Sequence, residues 1–379
     1  LALIFDYADT LTSRSVSLTF VKGLILSGGA GTRLRPITHT SAKQLVPIAN
    51  KPILFYGIEG LVEAGITDIG IVVGETGDEV RQAVGDGSRW GAEITYLSQD
   101  KPLGLAHCVL IAQDFLGVDD FVMYLGDNML EQDLTELVDR FIVDRAASSL
   151  DCRVLLKKVA NPSSFGVAVV NADGVVTDLV EKPENPPSDL ALVGVYFFSS
   201  VIHDAVASIK PSPRGELEIT DAIAWLSGQG LMVDHDMLDG WWIDTGKKDP
   251  LLECNRLVLG TIETQTDVST TVDESSLIAG AVQIGARCTI TNSVITGPVV
   301  IGENVVIDNC QIGPYVSLGD NCVLSDAVLD DSVLLKNCLI NGGGRVTSSL
   351  LGRSSSVSGT SSSGTSSLML GDDSIVELH

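Results

Sequence analysis

Between Leu277 and Val346 branched aliphatics return on a fixed beat. Ile278, Ile284, Ile290, Ile295, Ile301, Ile307, Ile312, Leu318, Leu324 and Leu329 follow in steps of 6, 6, 5, 6, 6, 5, 6, 6 and 5. Three steps make 17 residues, so Ile278, Ile295, Ile312, Leu329 and Val346 stand one period apart, and Gly285, Gly302 and Gly319 keep the same interval. One unit of this size cannot bury a hydrophobic face, but a stack of them buries a continuous column. The expected form from roughly Ser276 is a triangular coil of short parallel strands with the aliphatics turned inward. Cys288, Cys310, Cys322 and Cys338 fall inside the repeat, as packed or surface positions rather than ligands. Residues 354–367 are nearly all Ser, Gly and Thr and are expected to form a flexible loop, after which Leu368 to Asp373 can rejoin the coil.

The part before the repeat has another grammar. Short apolar runs at 24–27, 69–73, 94–97 and 121–125 alternate with stretches of helical periodicity at 52–64, 79–84, 104–114 and 134–146. That spacing predicts βαβ units and a largely parallel, Rossmann-like sheet. Ligands of such sheets bind beyond the carboxyl ends of the strands. From Val154 strands dominate, with a hairpin across Asn171-Ala172-Asp173-Gly174, and helices are expected at 200–207, 217–227 and 248–262. The chain thus divides into a nucleotide-type domain over 21–262 and a coil over 263–379. Truncation at about residue 262 is expected to leave a folded first domain.

The first apolar run opens into Gly28-Gly29-Ala30-Gly31-Thr32-Arg33-Leu34, followed by Lys43-Gln44-Leu45-Val46-Pro47. Glycines let a ligand approach the main chain, and consecutive N–H groups can form an anion-binding concavity. With Arg33 and Lys43 close by, the loop suits a polyphosphate. No Gly-Lys-Ser/Thr closes it as in a P-loop, and the third glycine of a dinucleotide fingerprint is missing.

This string resembles the signature of the sugar-1-phosphate nucleotidylyltransferases. Gly126-Asp127-Asn128, Glu181-Lys182-Pro183 and Gly215-Glu216-Leu217-Glu218-Ile219-Thr220 extend the resemblance over nearly everything from Val21 onward. Within that family the chain is most similar to the long glucose-1-phosphate thymidylyltransferases, and the repeat resembles the left-handed β-helix of hexapeptide-repeat proteins. The resemblance implies attack of a glucose-1-phosphate oxygen on the α-phosphorus of dTTP, with Mg2+ as cofactor. Asp127 and Asp244 would hold the metal, and Arg33, Lys43 and Lys182 would serve the phosphates. Leu26, Gly28, Gly29, Gly31, Thr32, Gln44, Gln99 and Gly104 would bind the nucleotide. Gly166, Glu181, Val193 with Gly194, and Arg214 would bind the sugar phosphate. The rivals are a UTP-dependent or other sugar nucleotidylyltransferase, a coil with acyltransferase activity, and a non-catalytic regulatory homologue. Acyl transfer normally wants a basic histidine, and none lies between Leu277 and Leu378, while Asp127, Asp244 and Arg33, which a regulator should have lost, are present. His107 is expected to be structural.

Forty-nine acidic residues against 24 basic ones give a net charge of −25, which opposes nucleic-acid binding. Seven cysteines without a Cys-x-x-Cys pair argue for reduced thiols in a cytoplasmic protein. No run has the length or apolarity of a membrane span, and a homo-oligomer is expected. No methionine precedes Met123, and Asp6, Asp9 and Arg14 interrupt the apolar residues of 1–20. That segment reads as an upstream extension, with Val21 as the native start.

Overall fold

The computed structural model describes residues 21–359 and 364–378. The expected extension, residues 1–20, lies outside the described residues, as do 360–363 of the serine-rich run. The strand Val21–Ser27 sits inside the main sheet, parallel to Asp68–Val73 on one side and Asp120–Leu125 on the other. Glu93–Ser98 continues the parallel half beyond Asp68–Val73. Both faces of this half are covered, which is why its strands read as continuous apolar runs rather than alternations. The pleat sends Leu24 and Leu26 into one core and Ile25 into the other.

Leu190–Phe198 runs antiparallel beside Asp120–Leu125 and divides the later strands. It pairs with Gly166–Val170, the first arm of a hairpin completed by Val176–Glu181, and with Cys152–Lys158, which carries Val233–Met237 at its far side. The helices follow the sequence pattern closely: Ile53–Glu63, Gly77–Val84, Leu105–Ile111, Leu134–Ser148, Ile202–Ser208, Ile219–Gly228 and Lys248–Leu259. Leu134–Ser148 starts where it does because the Asp133 carboxylate accepts the Thr135 N–H at 2.7 Å, a cap that stabilises by about 1 kcal/mol.

Past Leu259 the chain winds into three parallel sheets of seven, seven and six short strands, a left-handed parallel β-helix. Its first strand is Gln265–Thr266, within the expected coil and ahead of the aliphatic repeat. Ile278, Ile295, Ile312, Leu329 and Val346 pair in one ladder. Ile284, Ile290, Ile295, Ile301, Ile307, Ile312, Leu318, Leu324 and Leu329 are buried, while Ile278 is half-buried in the outermost coil. The four cysteines of the repeat are buried and free.

The serine-rich run departs from expectation. Ser356–Gly359 pairs with Leu339–Gly342 and with Ile375–Leu378, and Thr365–Ser366 pairs with Arg345–Thr347. Val346 pairs with Ser366, so the run adds only three residues to the usual period. Polar serines pack here because their hydroxyls close onto coil carbonyls: Ser355 and Ser349 are fully buried and donate to Gly352 and Thr347 at 2.7 and 2.8 Å.

The coil folds back against the first domain. Val333, Leu335 and Leu350 share a buried cluster with Leu34, Ile37, Val46, Ile48, Leu251 and Leu252. Arg256 holds Asp331 through two bonds of 2.6 and 2.7 Å, Ser317 donates to Asn255 at 2.7 Å, and Lys248 donates to the Ser348 carbonyl at 3.1 Å. These contacts alter the expectation that a chain ending near residue 262 would be self-sufficient.

Candidate active site

The carboxyl ends of the parallel strands converge as the topology requires. Val21–Ser27 delivers the glycine loop, Glu93–Ser98 delivers Gln99, and Asp120–Leu125 delivers Asp127. They open on a cavity of about 500 Å³, a size suited to a small ligand. Leu26, Gly28, Gly29, Arg33, Lys43, Gln44, Gln99, Gly104, Asp127, Gly166, Glu181, Lys182, Gly194 and Asp244 all line it. Residues more than two hundred positions apart thus share one wall.

A Cβ at Gly28 would stand 2.9 Å from the Gln99 side-chain oxygen, so the glycine lets the loop and Gln99 approach closely. Gln99 is nearly buried, and its amide nitrogen is engaged by His107 Nδ1 at 3.0 Å and Cys108 Sγ at 3.2 Å. Its oxygen is left facing the loop as an acceptor. His107 therefore has the structural role expected of it, orienting Gln99. Burial pushes the Cys108 thiol up to about 12, which disfavours its thiolate form. Gln44 is buried, and its side-chain oxygen has no protein partner.

Every cation on the wall is matched by an acid. Lys43 pairs with Asp127, and Arg33 pairs with Asp244 at 3.3 Å. Lys182 meets Glu181 at 3.2 Å, and Arg214 reaches Glu181, Glu216 and Glu218 at 3.4, 3.1 and 3.4 Å. Burial pushes the Asp127 carboxyl up, but the Lys43 charge and hydrogen bond outweigh it and hold it below the usual carboxylate range. Burial likewise raises Glu218, and there it prevails. Asp127 and Asp244 lie together at one end of a small ladder, where Asp244 pairs with Asn128 and Trp242 pairs with Leu130 at the other end. Thr245 donates through both its N–H and its hydroxyl to the Asp127 carbonyl, at 3.0 and 2.7 Å.

Lys182 has a φ of 41°, a left-handed conformation that a lysine rarely adopts. Its N–H bonds the Phe165 carbonyl at 3.0 Å, which holds the turn that brings its side chain to the cavity. Strain of this kind persists only where its surroundings enforce it, and it clusters at functional sites.

Some expected residues sit elsewhere. Val193 is fully buried in the opposite core with Val195 and Phe197, while Leu192, Gly194 and Tyr196 reach the cavity. The alternation of the strand decides this, so Gly194 rather than Val193 forms the wall. Gly31 and Thr32 are not part of the lining: Gly31, at φ 60°, turns the loop, and its carbonyl accepts the Thr38 hydroxyl at 2.7 Å. Arg214 lies behind Glu181 rather than on the lining itself. Sequence reasoning missed Tyr196, Trp242 and Asn128. Trp242 donates to Asn128 Oδ1 at 2.6 Å and stacks obliquely on Phe165, with ring centroids 4.9 Å apart. Its place in Trp241-Trp242-Ile243-Asp244, two residues from a site aspartate, was the available signal.

The chain is similar to known proteins. The profile of the nucleotidyl transferase family matches residues 22–260. The chain belongs to the nucleotidyl transferase family. Among relatives of this nucleotidyl transferase, a glucose-1-phosphate thymidylyltransferase of Streptomyces griseus is 51% identical over 88% of this chain and 92% of its own. That of Streptomyces antibioticus is 49% identical over 95% of this chain and all of its own. A Bacillus anthracis structure solved in complex with sucrose is 36% identical with a TM-score of 0.58, covering 62% of this chain and 94% of that one.

Nucleotidyl transferases generally use a divalent metal. Among the described residues no group of three or more His, Cys, Asp and Glu could hold an ion alone. Two carboxylates lining one cavity fit the other pattern, in which one or two protein acids share Mg2+ with substrate phosphates. No described helix is long and apolar enough to cross a membrane.

Proposed function

We propose that this chain transfers the thymidylyl group of dTTP to glucose-1-phosphate, giving dTDP-glucose and pyrophosphate, with Mg2+ as its ion. The observation that carries the reading is the single cavity in which Gly28, Arg33 and Lys43 stand with Glu181 and Lys182. It has a triphosphate side and a sugar-phosphate side. The thymidylyltransferases among the relatives at about half identity support dTTP over UTP.

The chemistry is an exchange of partners. Two polyanions repel until cations neutralise them, so catalysis is mostly positioning and electrostatic stabilisation. Arg33 and Lys43 turn from Asp244 and Asp127 to the triphosphate, and Lys182 turns from Glu181 to the sugar phosphate. Glu181, still held from behind by Arg214, accepts hydroxyls of the hexose, and Gly166 leaves the room this needs, since a Cβ there would stand 3.2 Å from Glu181 Oε2. Asp127 and Asp244 would hold the metal, which when bound screens the triphosphate charge. With both phosphates held, the sugar-phosphate oxygen attacks the α-phosphorus and pyrophosphate leaves. Gln99 presents an acceptor to the N3–H shared by thymine and uracil. Cytosine has no such proton, so the pocket is selective for the first two.

The decisive assay incubates the protein with Mg2+, glucose-1-phosphate and each of dTTP, UTP, CTP, ATP and GTP, and follows pyrophosphate. dTTP is expected to be the best donor. UTP as the best would replace the donor, and no release with any would refute the reading. A cytoplasmic location accords with seven free cysteines. Self-association accords with a ladder of exposed aliphatics, Val306, Val323 and Leu339, on one face of the coil, and sedimentation would test it.

A further inference from the structure

The segment between the glycine loop and Lys43 is clamped from outside the catalytic domain. Its far side touches the last coils of the β-helix. Gly371 packs so closely on Pro36 that a Cβ there would stand 3.1 Å from the Pro36 Cβ. Asp372 accepts the Thr40 hydroxyl at 2.8 Å with one oxygen and the Arg353 N–H at 2.7 Å with the other. The Arg353 guanidinium bonds one oxygen of Glu79 at 2.7 Å, and the other oxygen of Glu79 accepts the Ala42 N–H at 2.7 Å. Ala42 is buried and begins the 3-10 turn Lys43–Leu45. On the cavity side the same segment sends Thr38 to the Gly31 carbonyl and Lys43 to Asp127. Both triphosphate elements therefore hang from one short strap, and the strap is pinned by Glu79, Arg353 and Asp372.

We propose that Arg353 and Asp372, acting with Glu79, are positioning residues through which the end of the β-helix fixes the glycine loop and Lys43 for the triphosphate. The sugar-phosphate wall, built on the 166–182 hairpin and the 214–220 segment, has no part in these contacts. The brace therefore acts on one substrate and not the other. A polar contact to a charged group fixes direction as well as distance, and small misplacement of a phosphate-binding group is costly in rate. The coil thereby becomes part of the donor site.

This inference rests on dTTP as donor and Lys43 as a triphosphate contact. The test compares full-length wild type with Arg353→Ala, Arg353→Lys, Asp372→Asn and a control, Arg287→Ala, whose exposed partner Glu303 lies in the early coils. The measurements are kcat, KM for each substrate and the melting temperature. Arg353→Ala is expected to lower kcat/KM for dTTP about tenfold while KM for glucose-1-phosphate stays within about twofold. Arg353→Lys, which keeps the charge, should recover much of the loss, Asp372→Asn should follow the alanine variant, and Arg287→Ala should match wild type. The brace is overturned if Arg353→Ala matches the control, if lysine recovers nothing, or if both substrates suffer alike in step with the melting temperature. Wild type that releases no pyrophosphate from dTTP would instead remove the donor assignment. The same variants would then be compared on the nucleotide it does use.

Discussion

Cutting the chain after residue 262 should cost the catalytic domain much of its stability. The cut removes Val333, Leu335 and Leu350, three side chains buried against Leu34, Ile37, Val46, Ile48, Leu251 and Leu252. Each such side chain buried against water contributes about 1.5–3 kcal/mol, so uncovering the area they protect costs roughly 5–9 kcal/mol. That is an upper figure, because the unfolded chain already hides some of this surface. It is comparable to the whole stability of an ordinary domain, about 5–15 kcal/mol. With a shift of about 2–4 °C per kcal/mol for a domain of this size, the melting point should fall by on the order of 10 °C. Thermal melting of residues 21–262 beside the longer chain measures the shift, and dye binding to exposed apolar surface reports the uncovered cluster. Leu335→Asp in the full chain should reproduce the direction of the effect without removing any coil. A truncated domain that melts within about 3 °C of the full chain and binds no dye would show that the cluster is incidental.

Other perturbations reach the site directly. Gly194→Ala places a Cβ 2.5 Å from Asn128 Oδ1, displacing the side chain that holds Trp242. Turnover should fall at least about tenfold with a modest change in melting, and normal kinetics would mean that the strand shifts freely. Asp244→Asn should raise the Mg2+ concentration needed for half-maximal pyrophosphate release, whereas an unchanged Mg2+ curve would remove Asp244 from the metal site. Arg33→Ala should raise KM for dTTP more than KM for glucose-1-phosphate, and equal effects would count against its place on the triphosphate side. Burial holds the His203 imidazole below its ordinary range, outweighing the opposite pull of the Gly117 backbone and of Asp204. The unfolded chain therefore binds a proton first. Above about pH 6.5 His203 has no effect, and below it stability falls as pH drops toward the folded value. Urea titrations at pH 7 and pH 5 should show a smaller loss in His203→Gln than in wild type, and an equal loss would exclude His203 as a source.

What could be foreseen from sequence was whatever depends on neighbours along the chain. The aliphatic beat, the parallel strands and the glycine loop are local patterns, and each appears near its expected limits. The charged wall was legible because Arg33, Lys43, Asp127, Lys182 and Asp244 stand in ordered motifs. Val193 misled because a motif names a strand while the pleat chooses the face. The serine run misled because polarity was taken as a bar to packing, although a hydroxyl that finds a carbonyl is buried at little cost. The bond from Glu79 to Arg353 joins positions 274 residues apart. Nothing in either local sequence marks it, since exposed charges of this kind are usually solvated.

The way the coil lies on the last helix has a consequence for insertions and deletions. Successive coils touch Lys248–Leu259 at different points: Ser317 meets Asn255 and Asp331 meets Arg256 near its end, and Ser348 meets Lys248 at its start. The next coil reaches Thr40 through Asp372. Each coil advances by one strand spacing, about 4.8 Å, so the stack works as a ruler laid against the helix. One coil too many between Ser317 and Asp372 would carry the tip past Thr40 by that spacing, well beyond the reach of a hydrogen bond of about 3 Å. Coils before Ser317 make none of these four hydrogen bonds, so whole units copied or lost there leave this register unchanged, provided the chain still reaches Ser317. Past Ser317 the number of coils is set by the distance to the active site.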